Sequence, residues 1–216
     1  MNHFPNNTEK LLEELKNKSG FPSIFEDIFG NSRSLFNQKV LTLMDYGWYI
    51  SGDIELKKIS NAFNLINDGK AEEAEKIITS HFKKNLRKIE TNLISKHKER
   101  EVIFKEAFKA HKRKMYFSAT ILFLSQGDGI MDGKIFHNRN NLEKHLDKKK
   151  NPDFVGLLKN DSPLNVPSIK IKQTKYFSKL NRHSVMHGGD NEYGTEINSL
   201  KALSLCTFAN DWYNRY

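Results

Sequence analysis

Residues 70–96, KAEEAEKIITSHFKKNLRKIETNLISK, decide the fold class. Ile77, Ile78, Phe82, Leu86, Ile89, Leu93 and Ile94 recur in steps of three and four, which places them along one side of an α-helix and leaves the other faces charged. A half-buried strand needs a period of two, so this stretch predicts a long amphipathic helix. Upstream, Ile59, Phe63 and Ile66 keep the same spacing until Asn67-Asp68-Gly69 stops the helix. Downstream, a helix is expected over roughly 98 to 112, with Ile103, Phe104, Ala107 and Phe108 facing inward. The most apolar run, Met115 to Leu124, predicts a central helix over about 115 to 126, ended by Gly127 and Gly129.

The rest of the chain agrees with an all-α protein. Five Pro and twelve Gly among 216 residues are too few to punctuate many short strands. Fifteen Phe and seven Tyr supply bulky core side chains. Short helices are expected over 8 to 18, within 21 to 52, and over 141 to 147, with an irregular excursion through 137 to 171. Two helices close the chain. The first spans about 172 to 187 and ends at Gly188-Gly189. The second is capped by Thr195 and runs to about 214 with Leu200, Leu203, Leu205 and Phe208 buried.

The balance of 35 Lys and Arg against 26 Asp and Glu leaves a formal charge of +9. Such a charge suits a polyanionic partner, because cationic surfaces attract phosphates and release their counterions. A generally basic protein gives the same sum, and both readings stay open here. Cys206 is the only cysteine, so no internal disulfide forms and an oxidising compartment is not implied. The apolar stretch around Ile121 to Leu124 is far too short for a bilayer, and the N-terminal MNHFPNNTEK carries no secretory pattern. The expected location is the cytoplasm, with no membrane partner.

Candidate chemistry concentrates on the expected helix 172–187. At 100° per residue, Lys172, Lys175, Lys179, Arg182, His183 and His187 fall within an arc of roughly 140°. Arginine offers a planar fork for phosphate, and histidine exchanges protons near neutral pH. An Arg and a His together, without a carboxylate pair, suit phosphodiester cleavage that needs no metal. A solvated helix face with histidines near its C-terminus is the plainer alternative. His183 and His187 also have chelating spacing, but no Glu lies between them and no convincing third ligand stands nearby, so no metal or other cofactor is expected. Gln126 and Asp128 either line the same cleft or cap the preceding helix. Lys112, Arg113, Lys114 and the run 148–150 are further cations able to track a nucleic-acid backbone. Phosphate-loop and nucleophile-elbow motifs are missing from the sequence.

Arg182, a polar His183, three residues and His187 resemble the R-(N/D/H)-x3-H motif of HEPN domains. The flanking Leu180-Asn181 and Tyr193-Gly194-Thr195 fit, and Ala107 to Gly129 is similar to the helix preceding the motif in bacterial HEPN-like proteins. The resemblance covers about residues 96 to 216. It implies a HEPN-type helical bundle there, with residues 1–95 as an N-terminal helical extension. It also implies a homodimer that brings two Arg/His sets into one cleft. Many such domains are ribonucleases of toxin, phage-defence or RNA-processing systems. By that resemblance Arg182 and His187 are catalytic and His183 orients them. Lys175, Lys179, Asn181, Gln126 and Asp128 are the expected substrate contacts. Other HEPN proteins are inactive modules that bind a partner protein such as an antitoxin, a nucleotide or a nucleic acid.

Overall fold

The computed structural model describes residues 35–133, 135, 163, 164, 166, 178 and 180–213, and these are mostly helical with no strand among them. Residues 1–38 and 39–216 form two units; of the first, only helical residues 35–38 are described. In the second unit a helical segment, residues 39–45, is followed by a buried stretch at 47–51. The main elements are α1 (Leu56–Asn67), α2 (Ala71–Lys96), α3 (Glu101–Lys112), α4 (Tyr116–Ile130), α5 (Arg182–Met186) and α6 (Glu196–Tyr213). A single 3-10 turn, Lys98–Arg100, joins α2 to α3. Because α2 ends at Lys96 and lies wholly within the second unit, the domain boundary expected at 95/96 falls at the end of a helix, not between domains. The helices expected at 8–18 and 141–147 lie outside the described residues.

The amphipathic reading of α2 holds: Ile78, Phe82, Ile89 and Leu93 are buried, and Glu72, Lys76, Lys84 and Lys88 are exposed. On α3, Phe104, Ala107 and Phe108 are fully buried. Ile103, expected inward, is 39% exposed, because it lies off the side defined by those three residues. Apolar burial of each large side chain stabilises by about 1.5–3 kcal/mol. Rings interlock across elements: Phe108 meets Phe123 edge-on at 5.1 Å, Trp48 stacks on Phe82 at 5.7 Å, and Tyr49 meets Phe208 at 5.6 Å.

The central helix is α6, not the more apolar α4. Residues 199–210 are buried without interruption, so α6 is enclosed on all sides. Its polar positions are matched to partners. Ser199 Oγ meets His111 Nδ1 at 2.9 Å, Asn210 Oδ1 meets His97 Nε2 at 3.0 Å, and Ser204 Oγ accepts from the Tyr49 amide at 3.1 Å. Lys201 forms a 2.6 Å ion pair with Glu75 and lies 5.5 Å above the Trp48 ring. Hydropathy alone favoured α4, because it does not register polar side chains whose partners sit on other helices.

The expected end of α4 is also corrected. The helix continues through Gly127 and Gly129 to Ile130. Gly127 lies where a Cβ would stand 3.0 Å from the Leu205 side chain, so its small size lets α6 approach. Gly129 makes room for the Arg100 guanidinium, which donates to the Gly129 carbonyl at 2.7 Å. No helix among the described residues is long and apolar enough to cross a membrane.

Candidate functional site

The expected helix 172–187 is interrupted: among its described residues Arg182–Met186 is helical, while Ser178, Leu180 and Asn181 are not. The reason is Asn181. Its backbone is extended (φ −124°, ψ 118°) and its side-chain oxygen accepts from the Ser184 amide at 2.8 Å, which makes it the N-cap. Its amide nitrogen donates to the carbonyls of Pro163 at 2.7 Å and Val166 at 2.9 Å. Asn181 is 1% exposed, so the substrate contact expected of it is replaced by a clamp between α5 and the 163–166 segment. Lys172, Lys175 and Lys179 lie outside the described residues, and the continuous cationic stripe drawn through them is not carried by one helix.

A five-residue helix has too few internal hydrogen bonds to hold itself. Buried Val185 and Leu180 anchor it, and it rests against α4. Its end is closed by Gly188 at φ +69°, a left-handed position suited to glycine, with the Gly189 amide donating to the Ser184 carbonyl at 2.8 Å. The connection to α6 is fixed twice. Tyr193 meets Phe117 of α4 edge-on at 5.0 Å, and the Thr195 hydroxyl accepts from the Asn198 amide at 3.1 Å, as expected of its cap.

On this support, His183 and His187 are exposed side by side, their ring centroids 4.4 Å apart and tilted by 53°. Arg182, at the first position of α5, is half-buried. Met186, between the two histidines in sequence, is 44% exposed. The structure thus brings both imidazoles together at one exposed helix end, with Arg182 on the same single turn. Among the described residues no group of three His, Cys, Asp or Glu side chains converges, and Asp190 accepts from the Glu192 amide at 2.8 Å.

The chain matches no family model, no curated protein and no solved structure.

The polar pair on α4 takes up other roles. Gln126 is 5% exposed, accepts from Arg100 Nη1 at 3.2 Å and donates to Ser125 Oγ at 3.1 Å. It therefore serves Arg100 inside the fold, which neither the cleft nor the cap reading anticipated. Asp128 lies within α4 and accepts from the Ile135 amide at 3.2 Å. Of the further cations, Lys112 pairs with Glu90 at 2.5 Å, while 148–150 lies outside the described residues.

Sequence reading passed over three buried histidines. His81, His97 and His111 are 5–7% exposed, and burial holds His81 and His111 below their ordinary pKa, the largest cause in each case being loss of solvent. Their helical spacing with neighbouring apolar residues was the available signal. Lys201 likewise sits below its ordinary range because burial outweighs the opposing pull of Glu75.

Proposed function

We propose that the chain is a metal-independent endoribonuclease of HEPN type, acting on single-stranded or looped RNA in a toxin or phage-defence setting. The observation that carries this reading is the pairing of His183 and His187 at 4.4 Å on an exposed end that also bears Arg182. In the reaction, the RNA 2′-hydroxyl loses its proton to an imidazole and attacks the adjacent phosphorus. The bond from phosphorus to the 5′-oxygen breaks, and that oxygen leaves with a proton from a second acid. The products are a 2′,3′-cyclic phosphate and a 5′-hydroxyl. His187 acts as acid or base, Arg182 balances charge growing on the phosphoryl oxygens, and His183 orients its neighbour. No cofactor takes part.

One copy offers a thin set of groups, and a homodimer supplies the second acid–base group from the other copy's α5. Exposed Met186 beside the histidines supports such a contact. The same apolar side chain also suits a different partner. The second reading is therefore a catalytically silent module that uses this end to bind an antitoxin or other protein, a nucleotide or a nucleic acid.

Three alanine variants separate the readings. Arg182→Ala and His187→Ala are each expected to lower RNA cleavage about 100-fold or more. His187 is exposed, so its variant is expected to stay within about 0.5 kcal/mol of wild type, and half-buried Arg182 is expected to lose about 1 kcal/mol at most. Leu180→Ala, at a fully buried position, is expected to lose about 2–5 kcal/mol of stability. Arg182 and His187 variants that unfold like the Leu180 variant assign the motif to the fold. Stable variants of a wild-type protein that never cuts RNA assign it to binding.

A further inference from the structure

The outer face of α2 carries a second concentration of positive charge, far in sequence from α5. Lys84, Arg87, Lys88 and Lys96 line a shallow groove of about 840 Å³, with Thr91 and Asn92 between them. Asp53 is the one carboxylate in its wall. Cations nearby are neutralised: Lys83 pairs with Glu196 at 3.0 Å and Lys112 with Glu90 at 2.5 Å. Among the described residues, the four groove cations have no carboxylate within ion-pair distance. Lys84, Lys88, Asn92 and Lys96 follow in steps of four, so each lies one turn above the last with a small drift around the helix. From Lys84 to Lys96 the helix rises about 18 Å, which is a track for a chain of charges and too long for one small anion.

We propose that this groove on α2 docks the phosphate backbone of single-stranded RNA. The choice of RNA as ligand rests on the ribonuclease reading; the phosphate chemistry rests on the groove itself. Its walls contain no apolar side chain, whereas protein interfaces place aromatic or aliphatic anchors in their dry centre. Nucleic-acid interfaces are polar and strongly positive, and this groove is lined by four cations and two neutral polar side chains. Lys and Arg neutralise backbone charge without reading sequence, Thr91 and Asn92 add neutral polar contacts, and α2 holds the four cations on one rigid element.

The test uses the full chain bearing His187→Ala, to prevent cleavage, and a dye-labelled single-stranded oligouridine RNA followed by fluorescence anisotropy over a salt series. Four backbone contacts predict a slope of log K against log salt of about −2.8, at about −0.7 for each. Adding Lys84→Gln, Arg87→Gln and Lys88→Gln is expected to weaken binding about tenfold or more and to shrink the slope by about 2. These side chains are exposed, so the melting temperature serves as the folding control. Should the triple variant unfold, Arg87→Gln and Lys88→Gln alone are each expected to reduce the slope by about 0.7. Unchanged affinity and slope overturn the proposal, and so does a starting protein that binds no RNA. Groove-dependent binding by a protein that never cuts RNA supports the groove and removes the ribonuclease reading. Cleaving wild-type protein with groove variants that bind normally does the reverse.

Discussion

Replacing Asn181 with alanine removes three hydrogen bonds at once: the cap to the Ser184 amide and the two donations to the Pro163 and Val166 carbonyls. Loss of an N-cap costs about 1 kcal/mol. Each lost donor bond costs about 1 kcal/mol more, because water cannot readily replace it at a buried carbonyl. Pro163, Leu164 and Val166 are all buried, so that condition is met. The sum is about 3 kcal/mol, a large share of the about 5–15 kcal/mol that stabilises a typical domain. Equilibrium urea unfolding followed by circular dichroism measures it directly, provided the slope with denaturant stays constant. Asn181→Asp keeps the capping oxygen but loses both donors and sets a carboxylate against two carbonyls, so it is expected to lose about 2 kcal/mol or more. An alanine variant within about 0.5 kcal/mol of wild type would refute the clamp. Full stability combined with lost RNA affinity would return Asn181 to the role of a substrate contact.

Two further outcomes follow from buried titratable groups. Cys206 is fully buried, donates to the Phe123 carbonyl at 3.0 Å, and its thiol is pushed well above the ordinary range by burial. Native protein is therefore expected to resist alkylation until urea unfolds it, and rapid labelling of the folded chain would contradict the packing of α6 on α4. His81 and His111 are both held below their ordinary value of 6.5. Above that value they are neutral in both states and stability is fully present; as pH falls below it, the unfolded chain binds protons that the folded chain resists. Urea midpoints are expected to drop between about pH 7.5 and about pH 5.5, and His111→Gln is expected to lessen the drop. A pH-independent difference between wild type and that variant would remove the linkage.

The sequence revealed what local periodicity governs. In α2, one buried side repeated over many turns, and only a helix places such residues together. Thr195 was legible as a cap because its acceptor reaches an amide three residues on, within one local motif. What failed depended on distant partners. Gly127 and Gly129 read as stops, yet they are helical because Leu205 and Arg100 need the space a Cβ would fill. The helix expected across 172–187 kept its cationic spacing on paper, but Asn181 breaks it by binding carbonyls 15 and 18 residues earlier. In the terminal helix the sequence showed Leu200, Leu203, Leu205 and Phe208 as buried, but not that Ser199, Lys201, Ser204 and Asn210 are enclosed as well, because their partners His111, Glu75, Tyr49 and His97 lie far away in the sequence. For the candidate site, the sequence pointed to Arg182, His183 and His187, and the structure adds the clamp at Asn181 and the exposed paired rings. The cations of the α2 groove were visible only as one charged face among several, since their freedom from carboxylates is a property of the neighbouring helices.

The central claim is that Arg182 and His187 cut RNA without a metal. The purified 216-residue chain is incubated with mixed RNA in excess chelator, and the new ends are analysed chemically. Cleavage that persists in chelator and leaves 2′,3′-cyclic phosphate and 5′-hydroxyl ends is the expected result. RNA that stays intact, or cleavage that stops in chelator and returns with one particular metal, would contradict it; the second outcome would make His183 and His187 metal ligands instead.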